Sequence, residues 1–92
     1  MATSVIKRDG SKQPFDQEKV KRSIEAACQD AGLTPEKTEE VVSQTLPSVL
    51  EMANSKEEVA TSELADAVLS GLETADPAAA EAWRKYVQSK EA

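Results

Sequence analysis

The stretch VIKRDGSKQPFDQEKV, residues 5–20, decides how this 92-residue chain begins to fold. Val5-Ile6 is a short apolar start that runs into Lys7-Arg8. Asp9-Gly10 then signals a tight reversal, because a type I′ turn needs positive φ at both central residues. The expected strands are about residues 5–8 and 11–14. A two-residue turn would set Arg8 opposite Ser11, Lys7 opposite Lys12 and Ile6 opposite Gln13. Like charges directly opposite are unfavourable, so the two lysines either face solvent or are relieved by an anion. Pro14 ends the second strand, since it has no N–H for a ladder. Asp16 is a good N-cap and opens a helix that carries Lys19, Lys21 and Arg22.

Charge is distributed unevenly around this segment. Residues 1–22 hold six basic and three acidic side chains; residues 23–92 hold five and fourteen. The basic end does not extend into a stripe of the kind that general nucleic-acid binding requires. It suits either a compact, highly charged ligand bound at one end or a plain solvated basic face.

Four helices follow the hairpin. The first is expected at about residues 17–30, with Val20, Ile24, Ala27 and Ala31 as its apolar stripe, Cys28 beside it and Gly32 just past its end. Thr34-Pro35 starts the second as an N-cap with proline at N1. Its apolar positions are Val41, Val42, Thr45, Leu46, Val49 and Leu50, and Pro47 is expected to kink or split it. Residues 54–58 read as a polar loop and Val59 as a hydrophobic staple. Thr61 or Ser62 is expected to cap a third helix striped by Leu64, Val68 and Leu72, with Leu69 beside them. Residues 73–75 read as a break. Asp76-Pro77 opens a fourth helix with Ala79, Trp83, Tyr86 and Val87 on its apolar side, fraying from Gln88 onward. The fold class is mostly α: a single domain over residues 1–92, a four-helix bundle capped by an N-terminal β-hairpin.

Catalytic chemistry finds little support. The chain has no histidine, and its single cysteine, Cys28, falls on an apolar stripe; this removes histidine acid–base work, a disulfide framework and a cysteine zinc site. No glycine-rich phosphate loop is present. Paired acids such as Glu39/Glu40 and Glu57/Glu58 read as solvated surface. No apolar run approaches the roughly 20 residues of a membrane span, and no signal-peptide core is present, so a cytoplasmic protein without membrane contact is expected.

What remains is the basic hairpin with its helix. Lys7 offers a point charge and Arg8 a planar fork. Lys19 lies near the positive end of the first helix dipole. Asp16 in the same place argues against a ligand that is phosphate alone. A base carrying an amino group could donate to Asp16 or Gln13 while phosphates meet the cations.

The string Val5-Ile6-Lys7-Arg8-Asp9-Gly10, followed by Pro14-Phe15-Asp16 and Glu18-Lys19-Val20, closely resembles the start of the ATP-cone domain. Thr61-Ser62-Glu63-Leu64 resembles that family's second block, and residues 82–90 its last helix. ATP-cones are allosteric modules found at the N-terminus of ribonucleotide reductase large subunits and in a zinc-ribbon repressor of reductase genes. They bind ATP or dATP beneath a hairpin lid and switch quaternary structure. The resemblance implies that Lys7 and Arg8 hold phosphates and that Gln13 and Asp16 line the adenine. It places Val5, Phe15 and Val20 around the base, and Lys19 and Thr61 near ribose and phosphates. Tyr86 and Lys90 complete the pocket. The sequence departs from the family at Gln13, where an acid is common, and at Ala65, where some reductase cones carry histidine. It carries neither the reductase barrel nor the zinc ribbon. The implied protein is therefore a stand-alone, non-enzymatic cone that binds ATP or dATP with Mg2+. It regulates by self-association or through a ribonucleotide-reductase-related partner, without contacting nucleic acid itself. The alternative is a helical interaction domain that keeps the fold without nucleotide binding.

Overall fold

The computed structural model describes residues 3–91, and side chains through residue 89. Four helices, α1 (Gln17–Asp30), α2 (Pro35–Asn54), α3 (Thr61–Ala75) and α4 (Pro77–Glu91), form the body. Three short strands, β1 (Ser4–Ile6), β2 (Lys12–Pro14) and β3 (Glu58–Ala60), form a sheet in the order β2-β1-β3. The mostly α architecture with an N-terminal hairpin is as the sequence implies.

The helix ends follow local chemistry. Asp16 caps α1 by accepting the Glu18 amide at 2.9 Å. At the other end Gly32 takes a φ of 82°. The Gly32 and Leu33 amides return to Gln29 and Cys28 at 3.0 Å each, the paired bonds of a Schellman motif. Thr34 accepts the Lys37 amide and starts α2. Asp76 accepts the Ala78 and Ala79 amides and starts α4.

The main core joins all four helices. Ile24, Ala27 and Cys28 of α1 meet Val41, Val42 and Val49 of α2, Val68 and Leu72 of α3, and Ala79, Ala80 and Trp83 of α4. Burial pushes the Cys28 thiol up from its ordinary value, with Asp76 and Glu25 adding to the shift. A thiol held protonated and enclosed is a packing group rather than a nucleophile.

Five expectations are corrected. Pro47 does not split α2, which runs unbroken from Pro35 to Asn54. Pro47 is exposed and so is Ser43, whose carbonyl loses its partner, so water can serve the freed acceptor. Residues 73–75 are not a break, since α3 continues through Ala75 and only Asp76 separates it from α4. The fourth helix stays helical through Glu91. Residues 58–60 are a strand: β3 pairs in parallel with β1, and Val59 is fully buried there. Neither Thr61 nor Ser62 caps α3. Ala60 is the N-cap residue and its amide is taken by the Glu63 carboxylate at 3.0 Å. The Thr61 hydroxyl donates instead to the Ile6 carbonyl at 3.1 Å and ties α3 to β1.

The hairpin register is also shifted by one residue. Val5 pairs with Gln13 and Ile6 with Lys12. Gly10 alone takes positive φ, 88°, and Asp9 does not, so the two-residue turn is not formed. The connection is Arg8-Asp9-Gly10, closed by the Gly10 amide on the Lys7 carbonyl at 2.9 Å and the Lys7 amide on the Ser11 carbonyl at 2.8 Å. A three-residue connection with a left-handed glycine is the next common hairpin solution. Lys7 therefore does not oppose Lys12, which instead pairs with Glu58 at 2.6 Å.

Candidate nucleotide-binding site

A one-residue register change decides which side chains share a face, because strand side chains alternate. The observed register puts Val5, Gln13 and Val59 on one face of the sheet. Ser4, Ile6, Lys12 and Glu58 take the other. The first face overhangs a cavity of about 630 Å³ between the hairpin and the ends of α1, α3 and α4. That volume lies within the range of roughly 300–1,000 Å³ usual for small-molecule sites.

The cavity gathers most of the residues singled out above. Val5, Lys7, Arg8 and Gln13 line it from the hairpin; Phe15, Asp16, Lys19 and Val20 from the start of α1; Thr61 from α3; and Tyr86 from α4. Lys90 lies in α4, with its side chain outside the described residues. The Phe15 amide closes the open end of the hairpin on the Thr3 carbonyl at 3.1 Å, and Thr61 ties the hairpin to α3 through Ile6 as described.

Other linings were not singled out as site residues. Leu64, Val68, Trp83 and Val87 read in the sequence as core stripe, and they serve both core and cavity. Ala65 also lines it, and its carbonyl accepts the Trp83 indole N–H at 3.1 Å. The Trp83 and Tyr86 rings meet at 5.5 Å between centroids. Asp9, Pro14, Ser23 and Ser62 complete the wall. The signal for the apolar ones was positional. Stripe residues at the helix ends nearest a hairpin are the ones it roofs.

Charge is sorted within the cavity. Lys7, Arg8 and Lys19 bring cations, Gln13 and Asp16 bring acceptors, and Val5, Phe15, Val20 and Leu64 bring apolar surface. Asp16 spends one oxygen on the helix cap and has another to offer. Asp9 is occupied by the turn. Its Oδ1 accepts the Ser11 hydroxyl at 2.6 Å and the Ser11 amide at 2.9 Å. These bonds, the hydroxyl first, hold its carboxyl below the ordinary 3.8. A second concavity of about 420 Å³ lies between α1 and α4, lined by Asp30, Glu81, Lys85 and Ser89 among others. It sets a single cation, Lys85, against two carboxylates, Asp30 and Glu81, whereas the cavity under the hairpin brings three cations.

A family model described as ATP cone domain matches residues 3–91. The chain belongs to the ATP-cone family. An ATP-cone is a nucleotide-binding regulatory module, and the family in general binds ATP or dATP. The chain is similar to the transcriptional repressor NrdR of Synechococcus sp. (strain CC9311), 39% identical over 69 residues, 75% of this chain and 42% of the relative. NrdR of Chloroflexus aggregans is 31% identical over 75 residues, 82% of this chain and 42% of the relative. NrdR of Bradyrhizobium diazoefficiens is 30% identical over 92 residues, 96% of this chain and 56% of the relative. The ATP-cone chain thus spans about half the length of the curated relatives it matches. Among the described residues no helix is long and apolar enough to cross a membrane, and no three His, Cys, Asp or Glu side chains are grouped to hold a metal.

Proposed function

We propose that the cavity beneath the hairpin binds ATP or dATP and that binding regulates assembly. The observation that carries this reading is the sorting of charge: cations of Lys7, Arg8 and Lys19 beside acceptors of Gln13 and Asp16, over an apolar floor. Phosphates go to Lys7 and Arg8, where an ammonium and a fork offer charge-assisted bonds. The adenine amine donates to Gln13 or Asp16, and the base packs against Val5, Phe15 and Val20. Lys19 and Thr61 stand by the ribose and phosphates, and Tyr86 and Lys90 close the far side. Mg2+ accompanies the phosphates rather than occupying a resident site.

The reading is of a cytoplasmic regulator, not an enzyme. Among the described residues the cavity lining holds no Cys or His, and the Asp16 oxygen left over from the helix cap is the one assigned to the adenine amine. Regulation acts by nucleotide-dependent self-association or on a ribonucleotide-reductase-related partner. The relatives' name sets this in the control of transcription. Direct contact with nucleic acid is not assigned to this domain, because its acids outnumber its bases 17 to 11.

Thermal denaturation with ATP and with dATP, with and without magnesium, tests the binding. Ligand at about 100 times its Kd adds about 2.7 kcal/mol. That raises the midpoint by roughly 10–20 °C for a domain this small. No shift at millimolar nucleotide would overturn the reading. Light scattering with each nucleotide tests regulation by self-association, which predicts a change in mass.

A further inference from the structure

Two polar side chains on the cavity wall differ in what they offer a base. Asp16 is a carboxylate and only accepts hydrogen bonds. Its Oδ1 takes the Glu18 amide at 2.9 Å, which leaves its other oxygen for a ligand. Gln13 ends in an amide, with an accepting oxygen and a donating nitrogen of nearly the same shape. It pairs with Val5 in the hairpin, so its side chain shares the cavity face of the sheet. β2 is exposed along its length, and among the described residues no hydrogen bond engages the Gln13 side chain. The amide can therefore turn end over end without giving up a hydrogen bond. We propose that the cavity takes guanine as well as adenine nucleotides, and that Gln13 is the residue that sets this breadth.

The edges of the two bases carry the inference, which rests on the nucleotide reading above. Adenine presents an amine donor beside a ring-nitrogen acceptor, and a glutamine amide meets that pair with both of its ends. Guanine reverses the order: its O6 accepts, while its ring N–H and its amine donate. With the Gln13 amide turned over, its nitrogen donates to O6, and a guanine N–H donates to the remaining Asp16 oxygen. A carboxylate at residue 13 would accept from the adenine amine but would set lone pairs against guanine O6. An acceptor left without a donor in a closed site is costly, and that cost is what rejects a wrong base. Val5, Phe15 and Val20 pack against the face of either purine, and the phosphates meeting Lys7 and Arg8 are the same in both.

Isothermal titration of the parent chain and of Gln13→Glu with ATP, GTP and inorganic triphosphate tests it. Gln13→Glu keeps the size of an exposed side chain, and circular dichroism checks that the fold is retained. The readout is the ratio of GTP to ATP affinity, in which any general effect of the added charge on phosphate binding cancels. The parent should bind GTP within about tenfold of ATP, and both more tightly than triphosphate. In Gln13→Glu the ratio should fall by roughly tenfold or more, the scale of one base-edge contact. A parent that binds ATP but rejects GTP, or a ratio unchanged by Gln13→Glu, would overturn the breadth and leave the nucleotide reading standing. Triphosphate bound as tightly as either nucleotide would show that the base is not read and would also overturn it. Binding of none of the three would overturn the nucleotide reading itself, and this inference with it.

Discussion

The helical body and the small sheet are held together by different means. Among the described residues the body shares eleven buried residues among four helices. The sheet rests on two, Ala53 and Val59, and is fastened by exposed polar contacts such as Lys12–Glu58 and Thr61–Ile6. The difference teaches where a binding cavity can form. On the proposed function, the well-packed helices supply the floor and the lightly fastened sheet the roof of the nucleotide cavity.

The largest test of this contrast is Leu72→Ala. Leu72 is fully buried in the main core. Such truncations cost about 2–5 kcal/mol, which should lower the midpoint by at least roughly 10 °C. Sheet and bundle should lose structure in the same transition, read by circular dichroism. Val59→Ala removes less apolar volume from the small core, about 2 kcal/mol at most. Its effect should fall on the sheet: faster Lys7 and Phe15 amide exchange, with a smaller change in the helical melting curve. A Val59→Ala midpoint as low as that of Leu72→Ala would erase the distinction.

Gly71→Ala probes the frame. A Cβ there would lie 2.8 Å from the Thr45 Cγ2, and Thr45 is fully buried. Alanine gains about 1 kcal/mol of helix propensity, but overpacking costs about 1–3 kcal/mol. Urea denaturation should show a net loss of about 1 kcal/mol; a gain would mean that α2 and α3 can separate cheaply.

The smallest effect concerns acid. The Lys56 hydrogen bond first, then the Ala60 amide, holds the Glu63 carboxyl below its ordinary 4.5. A depressed folded pKa gives stability that is present above the unfolded value and lost as pH falls through the folded one. Stability at the β3–α3 junction should therefore decline below about pH 4.5. Glu63→Gln should flatten that decline, measured by denaturation across the acid range.

The same contrast separates what was legible in the sequence. The α1 boundaries, both proline starts and the core stripes are written in residues three or four apart. The sheet is not. β3 pairs with a strand 54 residues away, and only Val59 of its three residues is buried, so no local pattern marks it. The hairpin register turned on whether Asp9 takes positive φ, which an Asp-Gly pair permits but does not require. Residue spacing drew attention to Lys7, Arg8, Gln13, Asp16 and Lys19 at the cavity. Thr61 and Tyr86, distant along the chain, came only from the family resemblance. Leu64 and Val68 were hidden because a residue that lines a cavity over a core has the same periodicity as one buried in it.

Isothermal titration with ATP tests the central claim most directly, comparing the parent chain with Lys7→Ala and Lys85→Ala. Lys7 lines the cavity beneath the hairpin; Lys85 lines the second concavity between α1 and α4. Loss of a charge-assisted phosphate contact, about 1.5–3 kcal/mol, should weaken ATP binding by Lys7→Ala by roughly tenfold or more. Lys85→Ala should match the parent. Equal affinities for Lys7→Ala and the parent, or a loss confined to Lys85→Ala, would contradict the placement of the nucleotide beneath the hairpin.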